Sequence, residues 1–192
     1  MPRKIIVTEY ISLDGVVEDP VGMENSGLGN WTGPFNRGAE GDQFKKDELQ
    51  AGEALLFGRR TYDSFAAVWP TLREETGMAD RMNALPKFVA STSLKTADWN
   101  NSTVLTGDLA EAVRTLKAQP GGDILVYGSS SLVHALMPLG LVDQYNLMVY
   151  PTVLGRGKRL FPDGSASRLA LLECRRLGGG IVLLRYATEA PV

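Results

Sequence analysis

Three short runs in this sequence place glycine, hydroxyl or guanidinium groups directly after apolar stretches, a pattern suited to holding an anion. Gly58-Arg59-Arg60-Thr61 follows Ala54-Leu55-Leu56-Phe57 and precedes a helical stretch. A helix starting there aims free backbone N–H groups outward, and Thr61 adds a hydroxyl donor. The planar forks of Arg59 and Arg60 match phosphate oxygens. Gly128-Ser129-Ser130-Ser131 follows the apolar run Asp123 to Tyr127, so glycine permits close backbone approach while the serines cap or donate. Ser91-Thr92 closes a third such run. Taken singly, the first run is equally a glycine turn with two solvated arginines, and the second is ordinary helix capping. Together, three strand ends carrying anion-friendly groups point to a dinucleotide lying across a sheet edge, with arginines available for an extra 2′-phosphate.

Acid–base groups are sparser. Asp14 follows the first apolar run, and Asp42 opens the first helical stretch. Asp42 stands seven residues before Leu49 and so shares its helix face; if Leu49 faces the core, Asp42 points toward the sheet. His134 and Cys174 are the only histidine and cysteine in 192 residues. This excludes an intrachain disulfide and a Cys/His zinc cluster, and any Ser-His-Asp mechanism would have to use His134. His134 lies in an apolar helix and reads as a packing residue, and Cys174 as an inert hydrophobe in a buried strand. The turn at Gly128 lacks a P-loop lysine, and Gly27 to Gly33 has neither the spacing nor the preceding strand of a G-x-G-x-x-G fingerprint.

The elements that must position these groups alternate between strands and helices. Strands are expected at Lys4–Ile11, Ala54–Phe57, Lys87–Ser91, Thr103–Leu105, Asp123–Tyr127, Asp143–Tyr150, Leu169–Cys174 and Ile181–Ala187. Helices are expected at Asp42–Ala51, from Gly58-Arg59-Arg60-Thr61 to Trp69, at Asp108–Ala118, and from the Gly128 turn to Met137. Alternation predicts an α/β fold with a mostly parallel sheet covered on both faces, and Gly178-Gly179-Gly180 joins the last two strands as an antiparallel hairpin. Residues 19 to 41 form a long glycine-rich loop whose Trp31 and Phe35 suggest a flap packed against the body. Composition, 44% hydrophobic with a net charge of −2, fits one domain over residues 1–192 and offers no footprint for nucleic acid. No apolar run reaches the length of a signal segment or membrane span, so a cytoplasmic protein is expected.

In order, the Gly58-Arg59-Arg60-Thr61-Tyr62 turn, the Ser91-Thr92 edge and the turn at Gly128 resemble dihydrofolate-reductase-like proteins. Ser12-Leu13-Asp14-Gly15 and the segment Pro151 to Phe161 (P-T-V-L-G-R-G-K-R-L-F) resemble the RibD C-terminal reductase branch, in its small stand-alone form. The resemblance runs from residue 4 to about 187. It implies a three-layer fold with a mixed central sheet, NADPH as hydride donor, and a homodimer. It implies contacts of Gly58, Arg59, Arg60 and Thr61 with the cofactor phosphates, of Ser91 and Thr92 with the 2′-phosphate, and of Gly128, Ser129, Ser130 and Ser131 with the pyrophosphate. Val16 and Val17 would lie by the nicotinamide and Trp31 in the mobile loop over the site. Asp42 corresponds to the acidic residue of dihydrofolate reductases and Asp14 to the substrate side of the RibD branch, making these two the expected proton-delivery residues. Lys45 and Lys46 replace apolar residues that hold folate, which argues against folate as substrate. The implied activity is reduction of a C=N or C=O bond in a small pterin- or pyrimidine-like compound, such as one of the 5-amino-6-(5-phosphoribosylamino)uracil type of riboflavin biosynthesis. A non-catalytic NADP-binding protein and a weak dihydrofolate reductase are the alternatives.

Overall fold

Apolar, β-branched runs become strands whose alternate side chains serve opposite faces, and this period of two organises the molecule. The computed structural model describes residues 2–189. Its strands are β1 (Ile5–Ser12), β2 (Ala54–Gly58), β3 (Lys87–Ala90), β4 (Ser102–Leu105), β5 (Ile124–Tyr127), β6 (Gln144–Tyr150), β7 (Leu169–Arg176) and β8 (Val182–Thr188). Helices are α1 (Gly38–Ala51), α2 (Arg59–Val68), α3 (Met78–Ala84), α4 (Leu109–Ala118) and α5 (Ser130–Leu136). The strands form one sheet in the order β4-β3-β2-β5-β1-β6-β8-β7. Pairing is parallel from β4 through β6, while β8 runs antiparallel to both β6 and β7.

Alternation then fixes the layers. Ile5 and Val7 of β1, Leu56 of β2 and Val126 of β5 pack with Val113 of α4 and Val133 of α5. Ile6, Leu55, Phe57 and Leu125, one residue out of step, pack with Leu49 of α1, Tyr62 of α2 and Met82 of α3. The three-layer mixed α/β architecture expected from the sequence is the one observed, with helices on both faces and a C-terminal antiparallel pair.

One detail of register creates the site. β1 pairs with β5 only from Ile5↔Ile124 to Thr8↔Tyr127, yet continues beside β6 as far as Ser12↔Tyr150. Past Thr8, the sheet therefore opens along the β5 side of β1, at the carboxyl edge where ligands of open α/β sheets bind.

Three local expectations are corrected. Helix α1 begins at Gly38, four residues before Asp42. Helix α3 fills a stretch with no expected element; its seven residues, with only Ala79 and Met82 buried, are too few to show periodicity. Cys174 is exposed, because β7 is an edge strand whose Leu171 and Leu172 are also open to solvent. The β7–β8 turn needs its glycines: Gly179 has φ 64°, and a Cβ on Gly178 would lie 2.8 Å from backbone atoms of residues 36 and 37. Among the described residues, no helix is long and apolar enough to cross a membrane.

Candidate active site

The open edge leads into a cavity of about 1000 Å³. All three sequence motifs reach it: Gly58, Arg59, Arg60 and Thr61, then Ser91 and Thr92, then Gly128, Ser129, Ser130 and Ser131. Their convergence follows from strand order. β2 lies between β3 and β5, and Gly58 is paired with Ala90, so Arg59 and Ser91 leave adjacent strand ends together. The Gly58 N–H donates to Ser129 Oγ at 2.8 Å, tying the first turn to the third. Gly128 and Ser129 both have positive φ, 61° and 66°, and a Cβ on Gly128 would stand 3.3 Å from Thr61 side-chain atoms. The turn thus keeps its backbone bare at the mouth of the cavity, a cradle that suits a phosphate chain. Arg59 Nε is paired with Asp63 at 2.6 Å while its side chain stays substantially exposed. Hydroxyls, bare backbone and guanidinium groups fit a phosphorylated dinucleotide across β3, β2 and β5.

Next to the Gly128 turn, the cavity is also walled by Thr8, Tyr10, Arg37, Lys45 and Tyr127. Lys45 is the central group and is almost fully buried. Its ammonium donates to Thr8 Oγ1 at 2.7 Å and to Glu48 Oε2 at 2.5 Å, and lies 4.6 Å from the Tyr127 ring centroid and 5.6 Å from that of Tyr10. Glu48 is buried too; its Oε2 also accepts from Thr8 Oγ1 and its Oε1 from Asn146 Nδ2 at 2.7 Å. The carboxylate is bonded at both oxygens, while the ammonium uses two of its three N–H groups. Burial, then Glu48, pushes the Tyr127 phenol well above its ordinary pKa. Sequence reasoning noted Lys45 only as a departure and passed over Glu48. The signal was two opposite charges three apart on a helix with few apolar residues, where the buried stripe Gly41, Lys45, Glu48 is itself polar.

The expected acid–base residues stand elsewhere. Asp42 is exposed, paired with Arg37 Nε at 2.6 Å, and does not line the cavity. It shares a helix face with Leu49, but α3 covers that face only near Leu49, where Arg81 of α3 donates to the carbonyls of Gln50 and Gly52. Asp42 therefore meets solvent instead of the sheet. It reaches the site only through Arg37, which also donates to the Tyr10 hydroxyl. Asp14 is likewise off the cavity: its carboxylate accepts from Ser12 Oγ at 2.6 Å and from the N–H groups of Leu154 and Gly155 at 3.1 and 2.8 Å. The Ser12-Leu13-Asp14-Gly15 motif and the Pro151 to Phe161 segment are therefore one structural unit, with Leu160 N–H also bonded to the Gly15 carbonyl.

These hydrogen bonds, the Ser12 hydroxyl foremost, lower the Asp14 pKa to about 2. A depressed folded-state value means stability that is present above the unfolded carboxylate pKa of about 3.9 and lost as pH falls through 2. Asp14→Asn is expected to lower the melting temperature slightly at neutral pH and to flatten the loss of stability between pH 4 and 2, as measured by thermal unfolding against pH.

Of the remaining expectations, Val17 lines the cavity, whereas Val16 is buried in a bridge with Arg159. Trp31 is buried away from the cavity, donating its indole N–H to the Glu18 carbonyl and packing edge-on against Tyr150. It anchors the loop instead of covering the site, and Asp19, Met23 and Glu24 of that loop form the wall. Lys46 is partly buried and outside the cavity.

Comparison with known proteins places this geometry among relatives. The RibD C-terminal domain family matches residues 3–183. The uncharacterized protein YyaP of Bacillus subtilis is 29% identical over 188 residues, covering 96% of this chain and 94% of YyaP. YwjB of the same organism is 24% identical over 186 residues, covering 97% and 98%. In three dimensions, a putative riboflavin biosynthesis protein from Shewanella sp. PV-4 superposes with a TM-score of 0.76 at 18% identity, over 99% of this chain and 100% of that one. A pyrimidine reductase-like protein from Corynebacterium diphtheriae gives 0.65 at 15%, over 98% and 92%.

Proposed function

Because this chain belongs to the RibD C-terminal domain family, we propose that it is an NADPH-dependent reductase acting on a C=N or C=O bond of a small pterin- or pyrimidine-like compound. The observation that carries the reading is one cavity lined both by turns suited to an anion and by a buried, aromatic-flanked ammonium. When bound, the cofactor supplies the hydride. The protein must orient two flat rings and deliver one proton. Arg59, beside Ser91 at neighbouring strand ends, takes the 2′-phosphate, and the Gly128 to Ser131 turn holds the pyrophosphate. Thr8 and Glu48 occupy two of the three N–H groups of Lys45, leaving one for the substrate. As hydride reaches carbon, the displaced electron pair on nitrogen or oxygen takes the proton from Lys45 Nζ, which regains one from water in the open cavity. Tyr10 and Tyr127 give a planar heterocycle its stacking faces. Proton delivery thus moves from Asp42 and Asp14 to Lys45. A homodimer, on the resemblance alone, and a cytoplasmic location are part of the same proposal.

The test is loss of absorbance at the reduced-nicotinamide band with a panel of pyrimidine precursors of riboflavin, pterins including dihydrofolate, quinones and imines. Turnover of a pyrimidine or pterin other than dihydrofolate is expected; NADPH binding without turnover of any member would favour a non-catalytic NADP-binding protein. A second expectation concerns cofactor choice. Arg59→Ala should weaken NADPH binding by about tenfold or more while leaving NADH binding nearly unchanged, measured by fluorescence titration. Equal losses for both cofactors would remove Arg59 from the 2′-phosphate.

A further inference from the structure

Strand β1 carries a carboxylic acid that the proposed proton delivery does not use. Glu9 follows Thr8, the last β1 residue paired with β5, and so stands where the sheet opens. It is only 4% exposed, it lines the cavity, and its Oε1 is buried with no hydrogen-bond partner. Alternation turns Thr8 toward Lys45 and α1, and turns Glu9 with Ile5, Val7 and Ile11 to the opposite wall, where Val17 and Leu132 also line the cavity. Glu9 has no ion pair among the described residues, and a buried polar atom left without a partner calls for an explanation. Burial, reinforced by Glu24 and opposed by Lys45, raises its pKa well above the ordinary value. A neutral carboxyl offers one acceptor and one donor side by side, the complement of a primary carboxamide.

The anion-binding turns run from β3 across β2 to β5 and end at the gap beside Glu9. A dinucleotide whose phosphates lie on those turns brings its nicotinamide into that gap. Resting on the NADPH reading above, we propose that the Glu9 carboxyl holds the nicotinamide carboxamide, its C=O oxygen accepting from the NH₂ group and its O–H donating to the amide carbonyl oxygen. The ring is thereby fixed across the gap from Lys45. Glu9 is a cofactor-binding residue and takes no proton from the substrate.

The test titrates the full chain with NADPH and with its reduced 3-acetylpyridine analogue, in which methyl replaces the amide NH₂. Wild type is expected to prefer NADPH by about tenfold, one buried hydrogen bond. Glu9→Gln, which keeps a donor and an acceptor, should retain that preference. Glu9→Met should weaken NADPH about a hundredfold, two hydrogen bonds, and the analogue about tenfold, one, so that it binds the two cofactors equally. Its unliganded melting temperature should not fall, because an unsatisfied buried group has been replaced by an apolar one. A Glu9→Met protein that keeps the wild-type ratio, or loses both cofactors equally, overturns this inference while the NADPH reading stands. Failure of wild type to bind NADPH overturns both.

Discussion

Lys45→Met is expected to lower turnover of the best panel substrate by about a thousandfold, within the range for loss of a general acid, while the NADPH dissociation constant changes by less than about threefold. The asymmetry follows from bonding: Lys45 is tied to Thr8 and Glu48 and makes no hydrogen bond to the turns proposed to hold the phosphates. The same change leaves Glu48 buried without its cation, which costs about 3 kcal/mol of stability. Glu48 keeps its bonds from Thr8 and Asn146, so the fold survives with a lowered melting temperature. The double variant Lys45→Met/Glu48→Gln removes the stranded charge, and is expected to recover most of the stability and none of the activity. Turnover that recovers with stability would reduce Lys45 to a structural ion pair.

The second large effect is expected at Gly128. A side chain there must adopt φ near 61° and meets Thr61 at 3.3 Å, so Gly128→Val combines left-handed strain with a clash. The backbone cost is roughly 1–2 kcal/mol, a fall of about 5 °C in melting temperature for a chain of this size. The loss of cofactor binding should exceed this, about a hundredfold or roughly 2.7 kcal/mol, because the turn would no longer let the pyrophosphate approach the backbone. Calorimetric titration of the folded variant separates the two. A Gly128→Val protein that binds NADPH like wild type would move the pyrophosphate off this turn.

The convergence of the glycine, hydroxyl and guanidinium turns on one cavity was legible in the sequence because their chemistry is local. A glycine, a hydroxyl or a guanidinium at the end of an apolar run keeps its meaning wherever that strand falls, and Gly58, Ser91 and Gly128 needed only the parallel order to converge. The Lys45–Glu48 wall of the cavity was not legible, since its placement depends on what packs against it. Asp42 and Lys45 lie three apart on one helix; the cover from α3 and the position of β1 leave the first in solvent and bury the second. Asp14 carries a recognisable motif whose purpose is to bind the Pro151 to Phe161 segment, 140 residues away. Glu9 was visible as the one carboxylate within Lys4 to Ile11, but its isolation appears only when β1 outruns β5. The layer order was readable from alternation of strands and helices, whereas α3 was too short to announce itself.

A cavity built for NADPH raises the melting temperature of the wild-type chain in millimolar NADPH, and raises it less in NADH. For a site filled about a hundredfold above its dissociation constant, NADPH adds about 2.7 kcal/mol. This corresponds to a rise of at least about 5 °C for a chain of this size, with a much smaller rise for NADH if Arg59 reads the 2′-phosphate. No shift with millimolar NADPH would contradict the account.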